Sequence, residues 1–129
     1  TRVRSSAASD VYKRQGKYIH AEKYLPEGLD LARQIGRPRI TSNALYEYGN
    51  LFLGLNQMEE AEEKFREALD MIPEGDQELI ALTQYGLGRV AAAQGNKYQA
   101  KKLGKTSLIA LNDMGHRKAK EIKFWLDSL

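Results

Sequence analysis

The chain repeats itself. Slid along itself by 39 residues, it places Gly49 on Gly88, Leu51 on Val90, Ala61 on Ala100, Ala68 on Ser107 and Leu69 on Leu108. A second step of 39 carries Tyr46 through Tyr85 to Phe124 and Tyr48 through Leu87 to Leu126. Gly36, Gly75 and Gly115 recur at 39 and 40. Few folds tolerate such a period. Nothing in the chain reads as a strand, so the period is that of a pair of helices, and the pattern predicts two-helix units that bury their apolar faces only against one another. Before Gly49 only a second helix is kept, because Ala21 and Leu29 match Ala61 and Leu69 at 40.

Within each unit the apolar spacing is helical. Tyr18, Ala21, Leu25, Leu29 and Ala32 recur at three and four residues up to Gly36, with Pro26 expected to kink that helix. Arg37-Pro38 makes a turn, and Thr41 or Ser42 is expected to cap the next helix, which shows Leu45, Tyr48, Phe52 and Leu55. Asn56 suits a left-handed turn, and Glu59 three residues later permits a reciprocal cap. The following helix carries Ala61, Phe65, Ala68, Leu69 and Ile72 and stops at Pro73-Glu74-Gly75. Asp76 and Asn96 read as N-caps of two further helices, and a last helix shows Ala119, Ile122, Leu126 and Leu129. The expectation is an all-α fold of six helices: a half repeat at 16–36, repeats at 41–75 and 76–115, and a terminal helix at 116–129.

Residues 1–15 differ from the rest. They are rich in Ser, Ala and Arg, and the run SAASDVYKRQ resembles the translated read-through of a sequencing-library adapter. The segment is therefore left out of the functional reading, with the native protein expected to extend further upstream.

With no cysteine in 129 residues, a disulfide framework and a thiolate metal site are excluded. No apolar run approaches the length of a membrane span, so the expected location is cytoplasmic. The net charge of +3 conceals a polarity: residues 16–80 hold seven basic and thirteen acidic side chains, residues 81–129 nine and three. Such an asymmetry can steer a partner or bind the two halves together.

Residues 42–75 resemble a tetratricopeptide repeat. That family's order of large apolar, Leu or Tyr, Gly, aromatic, Ala, Phe, Ala and Pro is met by Leu45, Tyr48, Gly49, Phe52, Ala61, Phe65, Ala68 and Pro73. In residues 81–114, Leu87, Gly88, Ala91, Ala100 and Ser107 fit, whereas Gln84, Gly104 and Asn112 depart, and Gly104 in place of the aromatic puts tight packing there in question. The long period and the ending Gly115-His116-Arg117-Lys118-Ala119 with Trp125, Leu126 and Leu129 are similar to the C-terminal repeat arrays of bacterial STAND-type (NB-ARC-like) nucleotide-switch ATPases and regulators, although no ATPase residue is present.

What the tetratricopeptide resemblance implies is a right-handed superhelix whose first helices line a concave groove for a peptide or a partner's helix. Carried over by position, the groove residues are Asn43, Tyr46, Glu47 and Asn50, then Tyr85 and Arg89, with Phe124 continuing the row. Tyr46, Tyr85 and Phe124 form an aromatic ladder that suits peptide recognition, or alternatively packs between repeats. Two candidate positions of the family's clamp for a C-terminal carboxylate hold Tyr46 and Glu47, so that clamp is not expected.

Other signals lead elsewhere or nowhere. Gly86-Leu87-Gly88-Arg89-Val90-Ala91 spells a dinucleotide fingerprint, yet no strand precedes it. Gly104-Lys105-Thr106 resembles the end of a phosphate loop, but Gln99 stands where the first glycine belongs. His20 and His116 lack motif partners, and His116 is expected to serve the start of the last helix. Glu59, Glu60, Glu62, Glu63 and Glu67 spread over a solvated helix face and give no metal site. The 39-residue step predicts ion pairs of Glu62 with Lys101 and Glu63 with Lys102. The lysines of the C-terminal half, with Tyr98 and Trp125, offer a nucleic-acid alternative without a recognised motif. A third alternative is an intramolecular sensor or autoinhibitory arm that stacks on its parent protein or self-associates. No catalytic, cofactor or metal residue is proposed; the reading is a protein–protein interaction scaffold.

Overall fold

The computed structural model describes residues 23–129. Five complete helices follow one whose described part runs over 23–35 (α1): α2 Pro38–Gly54, α3 Met58–Met71, α4 Gln77–Ala93, α5 Lys97–Asp113 and α6 Lys118–Asp127. No strand occurs among the described residues. The lead segment and the start of the half repeat fall outside this range, whereas Pro26 lies inside the described part of α1, which is helical on both sides of it.

The helices pair as antiparallel hairpins, α2 with α3 and α4 with α5, and α3 against α4 and α5 against α6 join one pair to the next. Three apolar clusters run in order along the chain. Leu29, Leu45 and Ala68 tie α1 to the first hairpin. Ala61, Phe65, Leu87 and Val90 tie the first hairpin to the second, and Ala81, Tyr85, Leu111, Ala119 and Ile122 tie the second to α6. Each cluster draws on successive units, so the core is a continuous seam and no unit has one to itself.

The small residues set how closely helices approach. A methyl group on Gly49 would stand 2.6 Å from the Phe65 ring, and one on Gly86 would stand 2.6 Å from the same ring's Cζ. Phe65, wholly buried, is therefore a knob driven from α3 between α2 and α4. In the next repeat a methyl group on Gly88 would stand 3.3 Å from the Trp125 ring and 3.4 Å from the Ala100 carbonyl oxygen, so Gly49 and Gly88 both lie at a helix crossing beneath an aromatic ring. The dinucleotide-like run 86–91 is thus a stretch of buried helix.

Several local expectations are corrected. The second repeat is tightly packed despite Gly104, because Trp125 and Leu126 of α6 occupy the space. Neither Thr41 nor Ser42 caps α2. The helix starts earlier, with Pro38 in its first turn, where a missing N–H costs nothing. Both hydroxyls instead donate back to carbonyls, Thr41 to Arg37 at 3.3 Å and Ser42 to Arg39 at 3.0 Å. Asn56 takes φ 61°, but α3 begins after Gln57 without a side-chain cap, so the reciprocal cap with Glu59 is absent. Asp76 and Asn96 do cap, accepting from the N–H of Leu79 at 3.2 Å and of Gln99 at 3.1 Å.

The predicted pairs of Glu62 with Lys101 and Glu63 with Lys102 do not form. Glu62 accepts from Arg66 one turn along its own helix at 2.9 Å. The ion pair that does link successive second helices is Arg33 with Glu67 at 3.9 Å.

Candidate functional site: the cleft over the first helices

The first helices of each unit, α2, α4 and α6, together border an open cleft of about 580 Å³. The 39-residue step explains its layout, since positions 39, 78 and 117 (Arg, Glu, Arg) and positions 40, 79 and 118 (Ile, Leu, Lys) all line it. Asn43 and Leu82 form a further row. The apolar groups are Ile40, Leu79 and Leu82, of which Ile40 is 40% exposed. An exposed aliphatic side chain in a concavity rimmed by charges gives a partner's side chain somewhere to be buried.

The rim is held by pairs that also join repeats. Arg39 Nε meets Asp76 Oδ2 at 3.2 Å, tying the start of α2 to the cap of α4. His116 Nε2 meets Glu78 Oε1 at 3.1 Å, tying α4 to the entry of α6. The other ring nitrogen, Nδ1, accepts the Lys118 backbone N–H at 3.0 Å. Nδ1 is therefore unprotonated and Nε2 carries the proton donated to Glu78. The histidine thus does serve the start of the last helix. Lys118 Nζ pairs with Glu121 at 3.2 Å.

Of the groove residues carried over from the resemblance, Asn43, Tyr46 and Glu47 line this cleft. Asn50 is half-buried further along α2 and does not border it. Tyr85 sits in the core, its ring meeting Trp125 edge-on with centroids 5.3 Å apart. Burial, with the Glu121 carboxylate adding to it, pushes its hydroxyl pKa up to about 12. Arg89 is exposed and lays its guanidinium 5.6 Å over the Tyr85 ring. Phe124 is 79% exposed and apart from the cleft. The aromatic ladder is thus graded: Tyr46 is half-buried against Phe65 with centroids at 6.1 Å, Tyr85 is enclosed, and Phe124 is open.

Arg39, Ile40, Glu78, Leu79, Leu82, Arg117 and Lys118 were not singled out as groove residues by sequence. The repeat period held part of the signal: Leu82 is one 39-residue step from Asn43, and the other six are Arg39 and Ile40, one helical turn before Asn43, with their counterparts at the same step. No helix among the described residues is long and apolar enough to cross a membrane.

Comparison with known proteins agrees with this architecture. The tetratricopeptide repeat family matches residues 5–74, more than half of the chain. The response regulator aspartate phosphatase A of Bacillus subtilis (strain 168) is 30% identical over 86 residues, which are 64% of this chain and 23% of that protein. The chain therefore spans about a quarter of the length of that relative. No solved structure matches. Paired helices at a fixed step, glycines seated under aromatic rings and the family match together place this chain in the tetratricopeptide repeat family.

Proposed function

We propose that this chain is a protein-interaction module with no catalytic role, and that it holds a peptide or helical segment of a partner protein in the cleft over α2, α4 and α6. The observation that carries the reading is the cleft itself: about 580 Å³ of concavity with an aliphatic lining in which Ile40 is exposed, and a charged rim, built from repeated positions. The family membership supports it, because repeats of this kind generally bind proteins or peptides. The Bacillus relative's name speaks of a response regulator, which supports a bacterial, cytoplasmic signalling setting for this module as part of a larger regulatory protein. The resemblance to the arrays of STAND-type ATPases suggests the same kind of parent.

The test is selection of blocked nonapeptides from a random bead library on the purified chain. Selected peptides lose at least tenfold in affinity on Ile40→Asp and keep it on Lys102→Glu, a control on α5. If no peptide is retained, or if Lys102→Glu is the change that releases them, the reading fails.

A second reading has one observation in its favour. Lys97, Lys101, Lys102 and Lys105 of α5 are all exposed and, among the described residues, none makes an ion pair. If that face met nucleic acid, binding of a single-stranded oligonucleotide would weaken steeply between about 50 and 200 mM salt.

A further inference from the structure

Resting on the reading of the cleft as a protein-binding site, we infer that its occupant is a dipolar segment: a large aliphatic side chain flanked by a carboxylate toward α6 and a cation toward α2. The charges lining the cleft are Arg39, Arg117 and Lys118 against Glu47, Asp76 and Glu78, which balance while His116 is neutral. Net charge therefore does not select the ligand, and the arrangement of charges does.

Four of the six already have partners. Arg39 is engaged by Asp76 at 3.2 Å, Glu78 by His116 at 3.1 Å and Lys118 by Glu121 at 3.2 Å. Among the described residues, Arg117 and Glu47 have neither an ion pair nor a hydrogen-bonded side chain. A ligand group meeting a paired charge has to displace its partner, whereas one meeting Arg117 or Glu47 displaces only water. These two define where opposite charges on a ligand gain most. They stand on different walls, Arg117 at the entry of α6 and Glu47 midway along α2, with Ile40, Leu79 and Leu82 among the residues that complete the lining. The planar fork of Arg117 fits a carboxylate with two hydrogen bonds, and the flexible Glu47 accepts an ammonium or guanidinium.

The same blocked nonapeptide library decides it, since blocked ends leave side chains as the only charges. The expected selection is enriched in Leu, Ile or Met with one Asp or Glu and one Lys or Arg on opposite sides. On Arg117→Glu the affinity of such a peptide falls three- to tenfold and returns when the peptide's acid is changed to Lys. On Glu47→Lys the loss is rescued by changing the peptide's cation to Glu. Peptides that are released by Ile40→Asp yet carry no charge pair, or that ignore Arg117→Glu, overturn the dipolar inference while leaving the cleft reading in place. Peptides that ignore Ile40→Asp overturn both.

Discussion

Trp125 fills the space that Gly104 leaves open: a methyl group on Gly104 would stand 2.7 Å from the indole Cζ3. One repeat earlier the roles are reversed, with Phe65 of α3 as the knob and Gly86 of α4 as the hole. Stepping that pair by 39 gives Gly104 and Trp125, so the ring has changed helix while the interface between repeats stays filled. Restoring the family's aromatic with Gly104→Phe should therefore overpack the site and cost about 3 kcal/mol. Trp125→Gly should cost about the same by opening a cavity and weakening α6. The double variant recreates the arrangement of the first interface and should cost less than the two single losses together by about 1–3 kcal/mol. Urea unfolding of the four proteins measures the coupling, and additive losses would deny the exchange of knob and hole.

Burial, not residue type, decides what the aromatic rings contribute. Phe65 is 0% exposed and touches both neighbouring first helices, so Phe65→Ala should lose about 3–5 kcal/mol. Phe124 is 79% exposed, so Phe124→Ala should stay within about 0.5 kcal/mol of the parent. Equal losses in thermal unfolding would contradict the placement of α6.

Capping gives a second contrast. Asp76 accepts the Leu79 N–H and also holds Arg39, so Asp76→Ala should cost about 1–2 kcal/mol. Ser42 is buried and merely bonds back to the Arg39 carbonyl within its helix, so Ser42→Ala should cost far less or even stabilise. Chemical denaturation of the two variants separates a cap from a residue that only resembles one.

These residues also show how far the sequence could be read. The repeat step, the hairpins, the glycine crossings and the caps at Asp76 and Asn96 were legible because each depends on residues close in sequence or on the period itself. The start of α2 was misplaced because Pro38 outranks a Ser or Thr cap, a competition between two start signals within one turn. Glu62 and Glu63 point to Lys101 and Lys102 of α5 by repeat position, but Glu62, although it borders α5 residues Gln99 and Leu103, takes Arg66 one turn along its own helix, a local pairing that the repeat step does not encode. The filling of Gly104 was hidden because its partner lies in the next unit, where a pattern confined to one repeat does not look. Tyr85 and Phe124 share a repeat position with Tyr46, yet whether a ring lines a groove depends on the helix packed over it: α6 covers Tyr85, and among the described residues nothing covers Phe124.

Burial of Tyr85 makes stability fall at high pH. Its pKa rises from 10.0 to about 12, with desolvation as the largest cause. The folded state thus favours the neutral hydroxyl while the unfolded chain ionises at the ordinary value. The contribution is whole below pH 10 and is lost as pH climbs through about 12. In an absorbance titration of tyrosinate Tyr85 should ionise after exposed tyrosines, and Tyr85→Phe should flatten the loss of stability in that window. A Tyr85→Phe profile that matches the parent there would place the cause elsewhere.

His116 joins the cleft to the end of the array. One ring nitrogen accepts the Lys118 N–H at 3.0 Å and the other reaches Glu78 at 3.1 Å, so a single side chain, just before the N-cap Arg117, both satisfies the first N–H of α6 and ties the helix to α4. Ala at this position removes both, and about 1 kcal/mol should go with the bond to the Lys118 N–H, the exposed bond to Glu78 adding little. The loss is local. Trp125 is the sole tryptophan and sits on α6 against Tyr85, so its emission should shift to the red at a lower urea concentration than the helical circular dichroism signal falls. Ile122, wholly buried in the same cluster, should lose its slow hydrogen exchange along with it. Because Arg117 and Lys118 form one wall of the cleft, that fraying should also weaken any peptide held there. If His116→Ala leaves the two transitions coincident and binding unchanged, α6 is held by its apolar face alone.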